Sequence, residues 1–193
     1  MTGIEKRFVN RRKKSERNIL KLESDFKLLD FTNIKTVLEL GCGIGFVSSY
    51  LVETYNFKVY GTDYDPEQIQ IARNIQPKLK PLYFQVEEAT KLSFEDSSID
   101  LVLLQNLFHH VPKWKDGIKE ITRVFRSGGY LIWLDLTFPG IIKNVFLPFV
   151  KNYGLYTIDD IKTAFEIHGF KKLFQEQLSH GLLKQHHFVL QRN

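Results

Sequence analysis

The apolar positions of this chain follow two kinds of spacing. From Ser15 onward Ile19, Leu22, Phe26 and Leu29 recur at steps of three and four, one stripe that predicts an amphipathic helix. Short runs rich in branched residues then follow at 36–40, 58–62, 82–86, 99–104 and 130–136, and the segments between them mostly read as helices. That alternation predicts a doubly wound α/β fold, with a mostly parallel sheet covered on both faces. Asp65 before Pro66 marks a helix start, with Gln68 placed to complete a capping box. Thr157 and Asp160 mark another start, and Gly169 marks its end. Two last strand-like runs, 170–177 and 187–191, have no helix-length segment between them. They predict a closing antiparallel C-terminal hairpin and bring the sheet to seven strands.

Composition narrows the class. At 193 residues, 43% hydrophobic and 25% charged, the chain suits one globular domain. No window approaches the roughly 20 apolar residues of a membrane span, so a soluble protein is expected. Its single cysteine, Cys42, excludes an internal disulfide. With charges where a secretory signal needs apolar residues, the expected compartment is the cytoplasm.

The net charge of +5 is unevenly spread. Residues 1–22 hold eight Lys or Arg against Glu5 and Glu16, which leaves the remainder slightly acidic. The expected organisation is a basic arm at 1–14 and a single domain at 15–193. The arm suits contact with an anionic partner such as a nucleic acid, a lipid headgroup or a phosphorylated substrate. It equally suits a solvated lead-in to the first helix.

The chemistry concentrates after the first strand, in Glu39-Leu40-Gly41-Cys42-Gly43-Ile44-Gly45, with a helical segment at 46–52 behind it. Strand, glycine turn and helix make a nucleotide site, because glycines permit positive φ and close backbone approach while the helix start offers free N–H groups. Asp63 ends the second strand, where a carboxylate can accept both hydroxyls of a ribose. A dinucleotide fingerprint would space its glycines G-x-G-x-x-G to seat a pyrophosphate. Here the spacing differs, and Glu39 precedes the glycines. A carboxylate there suits a cationic ligand, and S-adenosylmethionine carries both an ammonium and a sulfonium.

At this point the chain resembles the class I S-adenosylmethionine-dependent methyltransferases, from about Lys35 to the C-terminus. Val37-Leu-Glu-Leu-Gly-Cys-Gly-Ile-Gly45 is similar to the family's first motif, and Val59-Tyr-Gly-Thr-Asp-Tyr-Asp-Pro66 to its second. Val86-Glu-Glu-Ala-Thr-Lys-Leu-Ser-Phe-Glu-Asp-Ser-Ser-Ile-Asp-Leu-Val102 looks like the third and fourth. Arg123-Val-Phe-Arg-Ser-Gly-Gly-Tyr-Leu131 looks like the turn before the fifth strand. The resemblance implies that Gly41, Cys42, Gly43 and Gly45 line the methionine part of S-adenosyl-L-methionine, that Asp63 holds the ribose and that Tyr64 packs on the adenine. It further implies that Glu88 and Ala89 face the adenine edge, a Glu standing where the family has Asp. By the same resemblance Gln105 and Asn106 would lie beside the transferable methyl.

A sulfonium is already a strong alkylating group, so the protein's work is to align a nucleophile and exclude water. A base is needed only if the acceptor must lose a proton, and His109 and His110 are the candidates. His168, His180, His186 and His187 lack ligand-like spacing, so no metal site is expected. Gln105-Asn106-Leu107-Phe108 stands where methyltransferases of nucleobase amino groups carry Asn/Asp-Pro-Pro-aromatic, which lowers that reading. The segment 138–153 is apolar for a connection. Its Ile141, Val145, Phe146, Phe149 and Val150 form either a lid over an apolar acceptor or a short helix buried on the sheet.

The expected function is therefore S-adenosylmethionine-dependent methylation of a small-molecule acceptor, amphiphilic and lipid- or quinone-like. Its alternatives are a non-catalytic S-adenosylmethionine-binding module, or an RNA or protein methyltransferase that uses the basic arm. Aminopropyl transfer calls for an acid-rich acceptor site, and a dinucleotide-dependent oxidoreductase is disfavoured by the glycine spacing. Sequence leaves the oligomeric state open.

Overall fold

The computed structural model describes residues 12–76, 81–146, 152–179 and 183–193, which divide into two compact units between Glu88 and Ala89. In the first, helix α1 (Arg12–Phe26) begins three residues ahead of Ser15, where the amphipathic pattern starts. It buries Leu22 and Phe26, and Leu29 is buried in the turn that follows. The strands β1 (Thr36–Leu40), β2 (Lys58–Asp63) and β3 (Leu82–Val86) pair in parallel, with Val37 beside Val59 and Val59 beside Leu82. Helices α2 (Phe46–Tyr55) and α3 (Pro66–Ile75) make the crossovers. Their Leu51, Ile69 and Ala72 join Val37, Leu38 and Val59 in a buried core. A cavity of about 600 Å³ lined by Phe31, Tyr55 and Phe57 lies at the amino ends of β1 and β2, the opposite end from the glycine loop.

The second unit holds β4 (Ile99–Gln105), α4 (Trp114–Val124), β5 (Phe125–Thr137), α5 (Gly140–Phe146), α6 (Ile158–Ile167), β6 (Phe170–Gln177) and β7 (Lys184–Arg192). β4 and β5 run parallel, and β7 inserts antiparallel between β5 and β6. Trp133, Phe165 and Phe188 meet edge to face in its core. The strand order is β3-β2-β1-β4-β5-β7-β6, a seven-stranded, mostly parallel sheet with the expected antiparallel hairpin at its C-terminal end.

Several local expectations shift. Asp65 caps α3 by accepting the Glu67 N–H at 2.9 Å, but Gln68 completes no capping box. Its amide is fully buried, with neither polar atom hydrogen-bonded among the described residues, because it lies on the inward face of the helix. The glycine pair expected to turn the chain before the fifth strand lies inside β5. Ile99 pairs with Phe125 and Leu101 with Tyr130, so the intervening residues of β5 bulge opposite Asp100 alone. Gly128 takes a φ of 80° there, and Arg126 reaches back to the Asp100 carboxylate at 2.6 Å. Between β3 and β4 the chain forms no helix. In the apolar 138–153 segment, α5 carries Ile141 80% exposed, so this residue is not buried on the sheet. The side chains of Val145, Phe146, Phe149 and Val150 lie outside the described residues. No helix among the described residues is long and apolar enough to cross a membrane.

Candidate active site

In the first unit the carboxyl ends of β1 and β2 build an acidic cradle. The Gly41 and Cys42 N–H groups both donate to the Thr62 carbonyl at 2.8 Å, which folds the loop over β2. Gly41, Gly43 and Gly45 have φ of 76°, 55° and 77°, values an L side chain resists. A Cβ on Gly45 would also run into the Phe84 ring. Cys42 is buried, its thiol pushed well up by burial and then by the Glu39 and Asp63 charges. Gln76, buried at the end of α3, donates to the Ile44 carbonyl at 2.8 Å and accepts from Ser49 at 2.9 Å. It pins the loop from a position that no sequence motif marks.

Two carboxylates flank this loop. Asp63 accepts the Gly43 N–H at 2.9 Å on one oxygen and the Asp65 N–H at 3.0 Å on the other. These bonds lower its pKa, but burial outweighs them and the result lies above the ordinary value. Glu39 is buried and accepts from the Ser48 hydroxyl at 2.5 Å. Burial, opposed by Ser48 and reinforced by the Asp63 charge, pushes its pKa up to about 7. Ser48 was not legible as a site residue, since a serine one turn into a helix is unremarkable. Tyr64, directly after Asp63, leaves its ring 72% exposed, and Glu88 is exposed at the end of the unit.

The second unit gathers a different set. Gln105 and Asn106 are half-buried at the end of β4. Asn106 adopts a φ of 57°, and its side-chain oxygen accepts from Gln185 of β7 at 2.7 Å. The short 3-10 turn Phe108–His110 follows. His109 is buried with its Nδ1 on the Asp135 carboxylate of β5, while His110 is half-buried and tilted against it, ring centroids 4.0 Å apart. Asp135, wholly buried, also accepts the Phe108 and His109 N–H groups at 2.5 and 3.2 Å, and the Leu136 N–H at 2.7 Å. Sequence reasoning missed Asp135. Its signal was a lone carboxylate inside the apolar run Trp133-Leu134-Asp135-Leu136. Ala89 opens this unit, its carbonyl close to Gly117 of α4. Among the described residues no cluster of His, Cys, Asp or Glu is grouped to hold a metal ion.

Residues 38–133 match the family model described as a methyltransferase domain. The chain is 38% identical over 100 residues to the 2-methyl-6-phytyl-1,4-hydroquinone methyltransferase of Synechocystis, a match covering 52% of this chain and 31% of that protein. It is 35% identical over 102 residues to the fatty-acid O-methyltransferase of Mycolicibacterium smegmatis, covering 52% and 37%. The chain thus spans about a third of the length of these curated relatives. Among solved structures, the PH0226 protein of Pyrococcus horikoshii superposes with a TM-score of 0.73 at 22% identity, over 96% of this chain and 93% of that one. With its four motifs in order and the matched domain, the chain belongs to the class I S-adenosylmethionine-dependent methyltransferase family.

Proposed function

We propose that this protein transfers the methyl group of S-adenosylmethionine to a small, amphiphilic acceptor of the lipid or quinone kind. The observation that carries the cofactor is the pair of carboxylates flanking the glycine loop, Glu39 buried and Asp63 half-buried, both with a pKa raised by removal from water. A pyrophosphate brought to that pair would add negative charge to a site already short of positive charge. A ligand with an ammonium and a sulfonium supplies what the site lacks, and bound there it offers an activated methyl group. Asp63 retains lone pairs for ribose hydroxyls beyond its two backbone bonds, and the exposed Tyr64 ring is open to stacking. Gly41, Cys42, Gly43 and Gly45 would line the methionine portion, Glu88 and Ala89 the adenine edge, and Gln105 and Asn106 the methyl. His109 and His110 are the candidate bases. The acceptor class draws support from the curated relatives, whose names specify a hydroquinone and a fatty acid. One free thiol, buried Cys42, suits the reducing cytoplasm.

Calorimetric titration of the full chain tests the cofactor. S-adenosylmethionine and S-adenosylhomocysteine are expected to bind and NAD is not, and Asp63→Ala should lose at least about tenfold in affinity through the ribose contacts. Tight NAD binding, or an Asp63→Ala variant that binds as the wild type does, would overturn the reading. A labelled-methyl transfer screen against lipid and quinol extracts, read by mass, then identifies the acceptor.

A further inference from the structure

The hydrogen bonding around Asp135 decides more than the position of a loop. Its two oxygens accept three backbone N–H groups and one imidazole nitrogen, Nδ1 of His109. A carboxylate accepts and does not donate, so the ring proton of a neutral His109 must sit on Nδ1. Nε2 is then a lone pair, and the ring is held in one orientation. His109 keeps its side chain 11% exposed, whereas Asp135 has no exposure at all.

Two other titratable groups near the cluster, Tyr156 and His186, are unsuited to take a proton. Tyr156 is wholly buried, and burial followed by the Asp135 charge raises its hydroxyl pKa, so the phenol stays protonated. His186 is the cross-strand partner of Asp135 and shares its face of the sheet. Its ring is buried with neither nitrogen hydrogen-bonded among the described residues. Burial, with Lys162 and Lys184 adding to it, lowers its pKa, so it stays neutral. Of the two adjacent histidines, His109 is the one whose Nδ1 meets the Asp135 carboxylate. A proton gained at its Nε2 creates a cation directly against that charge.

We propose that Asp135 is a positioning residue that fixes His109 with its proton on Nδ1, so that Nε2 takes the proton of a hydroxyl acceptor. This rests on the methyltransferase reading above and names its acceptor class, an alcohol or phenol. An already ionised carboxylate has no proton to lose and would gain nothing from such a dyad. In the balanced step the acceptor oxygen bonds to the methyl carbon as the carbon–sulfur bond breaks toward sulfur, and the hydroxyl proton passes to Nε2. Asp135 exchanges no proton in the step and holds the imidazolium through Nδ1, the division of labour seen in Ser-His-Asp sites.

The discriminating variant is Asp135→Asn. Its side-chain oxygen can still cap Phe108 and His109, while its amide donates to Nδ1 and forces the proton onto Nε2. Nitrogen-15 spectra of ring-labelled histidine in the full chain read the tautomer without any ligand. The wild type is expected to show His109 protonated on Nδ1, and Asp135→Asn on Nε2. With labelled S-adenosylmethionine and two probes, 1-dodecanol and dodecanoate, the wild type is expected to form the methyl ether. Asp135→Asn should lower kcat for the alcohol at least ~100-fold, with KM and S-adenosylhomocysteine affinity unchanged. His109→Gln leaves the Asp135 cap in place and should show the same loss, which keeps the test open if Asp135→Asn fails to fold.

An Nε2-protonated wild type, a wild-type kcat in Asp135→Asn, or methylation of dodecanoate alone would overturn the proposal. So would donor binding without transfer to the alcohol. Failure to bind S-adenosylhomocysteine would instead sink the cofactor reading, and the spectra would still decide the part played by Asp135.

Discussion

Glu39, the penultimate residue of β1, has its carboxyl in a place that favours the neutral acid. Its pKa moves from an ordinary 4.5 to about 7 when the chain folds. Between those values the folded state holds a proton that the unfolded state has released. The contribution of this group is therefore greatest below pH 4.5 and is lost as the pH rises through 7, a change of about 3 kcal/mol. Glu39→Gln is expected to remove that fall in unfolding free energy between about pH 5 and 8, seen as a flatter Tm against pH. The same linkage makes affinity for a cationic ligand rise across that window in the wild type and not in the Gln variant. Equal pH slopes for the two proteins, by thermal melts and by calorimetry, would contradict this account. The sequence marks Glu39 by its place before the glycines, but its protonation follows from burial and Ser48, which a linear reading does not bring together.

At the scale of elements, the connection from β3 to β4 illustrates stability without regular structure. No helix covers it, and Arg123 at the end of α4 holds it instead. One guanidinium donates to the Leu92 and Phe94 carbonyls and to the Asp96 carboxylate, at 2.9, 2.8 and 2.6 Å. It also forms a two-point contact with Glu120, whose second task is to accept the Leu92 N–H at 2.9 Å. These partners raise the Arg123 pKa and lower that of Glu120. Only a planar fork serves so many acceptors at once. Arg123→Lys should therefore cost about 1–2 kcal/mol in denaturant unfolding and speed amide exchange in 90–98, an Arg-specific loss despite the retained charge. Unchanged exchange there would show that the loop stands by itself. Sequence reading located α4 and β5 but not this clamp, because two of its four acceptors are backbone carbonyls and three of the four lie about 30 residues away. The helix signals closest to the chain were legible. Thr157 and Asp160 form the reciprocal capping box of α6, and Lys143 of α5 adds its ammonium to Asp160 at 2.6 Å.

For the whole molecule, charge and pattern divide the work differently. Of the eight basic residues of 1–22, Lys6, Arg7 and Arg11 precede the described residues, and the other five lie on α1. We expect deletion of 1–11 to leave Tm and S-adenosylmethionine affinity unchanged while weakening retention on anionic vesicles, more at low salt than at high. Equal vesicle retention would leave the arm without that role. The sheet was readable because strand and helix periods differ, and the cofactor cradle because its glycines, Glu39 and Asp63 lie close together along the chain. By itself, then, the sequence determined the alternation of elements, the seven strands and the acidic glycine loop, all properties of local pattern and spacing. Tertiary structure alone decided that Gln68 turns inward, that the glycine pair bulges within β5, and that Asp135 meets His109 from 26 residues away. Burial and partnership depend on which elements pack together, and a pairing between distant strands and turns leaves no period in the chain to read.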